Sequence, residues 1–197
     1  MIENCTALIL AGGDSRRMGR DKASLVLDGL PLLQRVVNIV QPLFAETIIS
    51  VRQPHQDIAL PQVCDDPGHH GPLAGLAAGL ERATTPWVFA VACDMPFITP
   101  AVIGHLAACR SGSQAVVPVV QGHAQPLAAF YAQSCLAPIR SLLQDAAAKY
   151  SLRGALARLD TCYVEESALR DADPQLRSFF DLDTPQDFAL AQQHGKA

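Results

Sequence analysis

Between Gly12 and Lys22 the chain reads Gly12-Gly13-Asp14-Ser15-Arg16-Arg17-Met18-Gly19-Arg20-Asp21-Lys22. Paired glycines let a backbone pass close to a phosphate, and Arg16, Arg17, Arg20 and Lys22 supply charge to hold one. Arginine does so as a planar fork and lysine as a compact point charge. The spacing is neither G-x-G-x-x-G nor G-x-x-x-x-G-K-[ST], which disfavours a nicotinamide fingerprint and a Walker-type ATPase. Taken alone, the segment reads equally as a solvated loop whose glycines only turn the chain. Three other places could add carboxylates. Asp94 stands between the apolar run Trp87–Ala92 and Met95-Pro96; it could hold magnesium without histidine or cysteine, or cap a turn. Asp65 and Asp66 precede Gly68 and the segment Gly71-Pro72-Leu73-Ala74-Gly75, ordering a ligand or, by default for Asp66, a turn. Asp181 and Asp183 alternate, so an extended chain would present both on one side. Asp183 before Thr184-Pro185 also fits a helix cap.

Other chemistries are disfavoured. The six cysteines, at positions 5, 64, 93, 109, 135 and 162, form no C-x-x-C pair and read as free thiols. His69 and His70 read as polar loop residues, and the histidines make no H-E-x-x-H pattern. Ser15 and Ser24 lack a His/Asp arrangement that would make either a nucleophile. With 15 basic and 19 acidic side chains, net −4, the chain has no global field to gather nucleic acid. Its longest apolar runs fall far below the roughly 18 residues of a membrane span. No secretory signal is visible, so a cytoplasmic location is expected.

The elements that must position these groups follow from the pattern. At 197 residues the chain fits one domain, and 49% hydrophobic against 17% charged residues excludes a disordered tail. Unbroken apolar runs at Thr6–Ala11, Thr47–Val51 and Trp87–Ala92, with a shorter one at Gln62–Cys64, predict strands buried on both faces. Between them, helices are predicted over Pro31–Val40, with Pro31 in the first turn, and from Pro72, burying Leu73, Leu76 and Leu80. A third, after Pro100, buries Val102, Ile103 and Leu106. This alternation predicts βαβ units around a mainly parallel sheet, whose ligands sit at the carboxyl ends of the strands. In the second half, Ala115–Val120 and Pro126–Tyr131 flank Gln121-Gly122-His123 and predict an antiparallel element. Helices over Leu136–Ala147 and Leu152–Leu159 follow. Strands near Cys162–Val164 and Phe179–Leu182 come next, then a terminal helix from Thr184-Pro185.

Taken together, these features suggest a nucleotide and a metal at one sheet edge, and the sequence closely resembles the molybdenum cofactor guanylyltransferase family of nucleotidyltransferases. The resemblance rests on Leu10–Lys22, Gly71-Pro72-Leu73-Ala74-Gly75-Leu76, Cys93-Asp94-Met95-Pro96-Phe97 and Asp183-Thr184-Pro185-Gln186-Asp187-Phe188, in order along almost the whole chain. It implies a three-layer α/β/α, Rossmann-like fold of the nucleotide-diphospho-sugar transferase type. The domain would be single, 1–197, with nucleotide bound by about 1–100 and the pterin acceptor by about 101–197. It implies transfer of GMP from GTP to the terminal phosphate of molybdopterin, commonly carrying molybdenum, with release of pyrophosphate and with Mg2+ as cofactor. On that resemblance Leu10, Ala11, Gly12 and Gly13 line the nucleotide site through backbone groups. Arg17 and Lys22 meet the phosphates, Asp65 assists guanosine binding, Asp94 holds magnesium, and Asp21 positions Lys22. Pro126-Leu127 resembles a segment near the pterin end. Arg52 joins the binding set where some members carry a nucleotide-binding asparagine. Asp181 and Asp183 replace frequent asparagines, and an inward Asp183 would join Asp94 at the metal. Transient contacts with molybdenum cofactor biosynthesis proteins and with recipient molybdoenzymes or their chaperones are implied, for a chain expected to be monomeric. The alternatives are a cytidylyltransferase using CTP on the same cofactor and a non-catalytic nucleotide-binding or partner protein.

Overall fold

The computed structural model describes residues 1–12, 24–64, 68–145 and 150–194. The strands in chain order are β1 (Cys5–Leu10), β2 (Val26–Leu27), β3 (Leu30–Pro31), β4 (Glu46–Val51), β5 (Gln62–Cys64), β6 (Trp87–Ala92), β7 (Ala115–Val120), β8 (His123–Ala124), β9 (Ala128–Ala132) and β10 (Thr161–Val164). The helices are α1 (Leu32–Val40), α2 (Pro72–Arg82), α3 (Pro100–Ala108), α4 (Leu136–Gln144), α5 (Leu152–Leu156), α6 (Glu166–Leu169) and α7 (Pro185–His194). The main sheet runs β10-β7-β9-β6-β1-β4-β5, with β8 on β7 and β2–β3 as a separate hairpin.

The parallel half is β5, β4, β1 and β6, with β1 at the point where strand order reverses. Such a reversal opens a crevice at the carboxyl ends of the strands. β9 then runs antiparallel to both β6 and β7, while β10 pairs parallel with β7. Fold class and antiparallel element therefore match the sequence expectation. Side-chain alternation along the buried strands splits the core between two faces. Ala7, Ile9, Phe89 and Val91 face α1 and α3, while Leu8, Leu10, Val88 and Ala90 face α2, α4 and α5. Every residue of β1 is buried, as its unbroken apolar run requires.

Helix α2 comes so close to β1 that a methyl group at Gly79 would overlap the side chain of Leu8, which is fully buried. Gly79→Ala is therefore expected to destabilise the fold by about 1–3 kcal/mol through overpacking. Thermal unfolding should show the loss as a lower Tm, by roughly 2–4 °C per kcal/mol.

Several local expectations are corrected. Pro31 lies at the cap position with extended backbone, one residue before α1. Pro126 and Leu127 precede β9 rather than lying in it, and α4 and α5 end at Gln144 and Leu156. Phe179–Leu182 is not a strand. Arg177–Phe179 is a 3-10 turn entered through Leu176 in the left-handed region, and the Asp173 carboxylate accepts the Ser178 amide at 2.7 Å. Asp183 is not the cap of the last helix. Thr184 is, with its hydroxyl accepting the Asp187 amide at 3.2 Å and the Asp187 carboxylate accepting the Thr184 amide at 2.8 Å, a reciprocal capping box. The six cysteines are free; burial pushes the thiols of Cys5 and Cys135 up to about 12.

Candidate active site

The crevice is assembled by main-chain bonds between strand ends. The Leu10 carbonyl accepts the Cys93 amide at 3.0 Å, and the Ala11 amide donates to the Ser50 carbonyl at 2.8 Å. Those two groups are thus spent inside the sheet, and contacts with a nucleotide from Leu10 and Ala11 fall to others. Gly12 leaves β1 beside the exit of β4: a Cβ there would lie 3.2 Å from the Arg52 nitrogen and 3.5 Å from the Val51 carbonyl carbon. Any side chain would press on that backbone. The structure thereby brings Gly12 and the exposed Arg52 together. Cys64, paired with Val51 in the parallel ladder, leads directly to Asp65. Gly13, Arg16, Arg17, Arg20, Asp21, Lys22, Asp65 and Asp66 lie outside the described residues.

Asp94 follows β6 in the same crevice, half-buried. Its carbonyl accepts the Leu182 amide at 3.0 Å, so the Asp181–Asp183 segment lies against the Asp94 turn, with both outer carboxylates exposed. Magnesium favours carboxylate oxygens and is held by one or two of them together with water and substrate phosphates. Asp94 and Asp183 provide that donor type. On the other flank, the Leu127 carbonyl accepts the Ala92 amide at 3.0 Å, and the buried Tyr131 hydroxyl donates to the Pro126 carbonyl at 2.7 Å. Pro126-Leu127 is therefore fixed beside the end of β6.

Next to this flank opens a cleft of about 550 Å³ whose walls include Phe97, His123, Arg170, Arg177, Phe180 and Asp181. Aromatic rings and hydrogen-bonding side chains suit a planar, polar partner, and the Arg170 and Arg177 guanidinium groups share the lining with the Glu166 and Asp181 carboxylates. Sequence reasoning missed Arg170 and Arg177; their one local signal is that both flank the turn just upstream of Asp181. Glu166 braces the rim. Its carboxylate accepts the Gln121 amide at 2.9 Å and pairs with Arg170. The hydrogen bond from Gln121, followed by Arg170, holds this carboxyl below its ordinary 4.5. For a depressed carboxylate, the stabilisation is full above the ordinary value and is lost as pH falls through the lower native one. An NMR titration should place the Glu166 midpoint below 4.5, and Arg170→Ala should return it only part of the way, since the Gln121 amide remains.

A mainly parallel sheet with an order reversal, a glycine at the exit of β1 and a carboxylate at the exit of β6 define an α/β protein with its ligand crevice at the strand ends. A family model described as the MobA-like NTP transferase domain matches residues 7–162, and the chain belongs to this family. A protein of Chloroflexus aggregans named a probable molybdenum cofactor guanylyltransferase is 35% identical, covering 96% of this chain and 94% of its own length. One of Syntrophotalea carbinolica named molybdenum cofactor guanylyltransferase is 34% identical, covering 96% and 91%. The crystal structure of molybdopterin-guanine dinucleotide biosynthesis protein A from Archaeoglobus fulgidus superposes with a TM-score of 0.86 at 28% identity, covering 97% of this chain and 98% of that one. No helix among the described residues is long and apolar enough to cross a membrane.

Proposed function

We propose that this protein transfers GMP from GTP to the terminal phosphate of molybdenum-loaded molybdopterin, giving the guanine dinucleotide cofactor and pyrophosphate. The observation that carries this reading is that the close approach of Gly12 to the Arg52 backbone and the Asp94 turn stand at the carboxyl ends of adjoining strands, β1, β4 and β6. Likeness to named guanylyltransferases along nearly the full chain supports it.

An oxygen of the acceptor's terminal phosphate attacks the α-phosphorus of GTP in line. The new P–O bond forms as the bond to the β-phosphate breaks, and pyrophosphate carries away the electron pair. The acceptor phosphate is already largely ionised near neutral pH, so no protein base is needed. Lys22 and Arg17 stabilise the charge that builds on the α-phosphate and the leaving group. Bringing two anions together is the main barrier, and these residues lower it by orienting both. Leu10 to Gly13, Arg52 and Asp65 bind the nucleotide within the first hundred residues, and the cleft beside Pro126-Leu127 takes the acceptor. Asp94 would hold Mg2+, with Asp183 a candidate second carboxylate, and the ion would supply positive charge to the phosphates of the donor. The protein acts as a cytoplasmic monomer and meets cofactor-biosynthesis proteins, recipient enzymes or their chaperones transiently.

The decisive assay incubates the purified protein with molybdenum-loaded molybdopterin, Mg2+ and either GTP or CTP. Guanine dinucleotide cofactor and stoichiometric pyrophosphate are expected with GTP. Product only with CTP would reassign the base, and product with neither would end the enzymatic reading.

A further inference from the structure

The turn Gln121-Gly122-His123 between β7 and β8 takes no part in the transfer described so far. It is a closed hairpin: Val120 pairs with His123, and Gln121 and Gly122 between them both adopt positive φ, 52° and 74°. That pairing of conformations fits the twist of the flanking strands and fixes where the third residue stands. A second element clamps the tip. The Glu166 carboxylate, at the start of α6, accepts the Gln121 amide at 2.9 Å and pairs with Arg170. Arg170 in turn donates to the Pro174 carbonyl at 2.8 Å.

The His123 ring is tethered as well. Its Nδ1 lies 2.8 Å from the Gln121 carbonyl oxygen. A carbonyl can only accept, so Nδ1 carries the proton, and in the neutral ring Nε2 is left as an acceptor. His123 forms part of the wall of the cleft of about 550 Å³, so that acceptor is offered to a molecule lying there. The charged lining is balanced, with Glu166 and Asp181 against Arg170 and Arg177. Such a wall has no surplus positive charge for a phosphate. Phe97 and Phe180, with rings 6.3 Å apart and tilted by 50°, add apolar surface. Together these groups suit a flat, uncharged ring system that carries hydrogen-bond donors.

We infer that His123 recognises the heterocycle of the acceptor, its Nε2 accepting a hydrogen bond from a ring N–H or an amino group. The inference rests on the guanylyl transfer proposed above and adds which end of the acceptor the cleft takes. A pterin presents N–H donors along its edge, which an acceptor nitrogen matches and a donor would repel. The wall includes Phe97 and Asp181, beside the Asp94 turn, so an acceptor seated by its rings has its phosphate end toward the crevice.

The test measures KM for molybdenum-loaded molybdopterin and for GTP in the native protein, His123→Phe and His123→Gln. Phenylalanine keeps a flat ring and removes Nε2. It should raise the acceptor KM about three- to tenfold, the scale of one lost hydrogen bond, and leave kcat and the KM for GTP within about twofold. Glutamine, whose side-chain oxygen accepts at similar reach, should recover part of the loss. Protonation converts Nε2 to a donor, so the advantage of the native protein over His123→Phe should shrink as pH falls. The charged groups sharing the cleft with the ring, Glu166, Arg170, Arg177 and Asp181, are common to both proteins, as is the ionisation of the acceptor. Nitrogen NMR of the neutral native ring, a readout independent of turnover, should place the proton on Nδ1. An unchanged acceptor KM in His123→Phe, an equal rise in the KM for GTP, a glutamine variant as weak as phenylalanine, or a neutral ring protonated on Nε2 overturns the inference. Absence of product from the native protein would instead defeat the transfer on which it rests.

Discussion

Asp94→Ala is expected to reduce GMP transfer by about a thousandfold, the scale at which one electrostatic contact to a reacting phosphate is lost. Asp94 follows directly on the residue whose amide is bound by the Leu10 carbonyl, so it stands where the chain leaves the sheet at the crevice. Its backbone carbonyl takes the Leu182 amide, and that bond survives replacement of the side chain. Asp94 is only half-buried; its replacement should therefore cost far less in stability than in turnover. The expected signature is a cooperative unfolding transition, showing a folded protein, with turnover near background. Asp94→Asn should fall almost as far, because a neutral amide of the same shape is a poor ligand for a hard cation. Steady-state pyrophosphate release over a range of Mg2+ concentrations checks this, and turnover within tenfold of native would remove Asp94 from the metal role.

Lys22→Ala is expected to lower kcat by about a hundred- to a thousandfold, comparable to removing one donor from a transition-state charge site. The net charge of −4 means that the substrates, both polyanions, find no general attraction on the protein. For the triphosphate, the densest local source of attraction in the sequence is Arg16, Arg17, Arg20 and Lys22, four cations within seven residues. Lys22→Arg should recover only part of the loss, since a planar fork does not reproduce a point charge. Arg17→Ala should act in the same direction. Single-turnover formation of the dinucleotide, measured at saturating GTP, separates this from weaker binding. A solvated loop without a catalytic part would show changes of twofold or less.

Much of this was legible because the signals are local. β1, β4 and β6 are runs of apolar residues buried on both faces, and a run of that kind admits few other structures. Val102, Ile103 and Leu106 are fully buried on α3, as their helical spacing requires. The strand ends then carried Gly12 and Asp94 to one crevice by topology alone. The last third was harder. Phe179-Phe180-Asp181-Leu182 has the content of a strand, but Leu176 adopts φ 53° and the Asp173 carboxylate captures the Ser178 amide. A non-glycine residue in the left-handed region leaves no mark in composition. Thr184 outcompeted Asp183 as a cap because Asp187, three residues on, completes the reciprocal pair. Arg170 and Arg177 escaped notice because only tertiary folding brings them to a wall shared with Phe97 and His123.

The reversed direction of β9 beside β6 has a consequence for how such an enzyme can diverge. On the nucleotide side the crevice is built where strands finish, by segments leading out of β1, β4 and β6. On the other side it is built where a strand starts, by Pro126-Leu127 leading into β9. The two sets of segments belong to separate stretches of chain and meet at one rim, where the Leu127 carbonyl accepts the Ala92 amide. On the proposed assignment of acceptor and donor sides, side chains of residues 121–127 could be exchanged to alter which acceptor is chosen, provided that the Leu127 carbonyl keeps its bond to Ala92. A family organised in this way can keep one donor chemistry and acquire new recipients piece by piece.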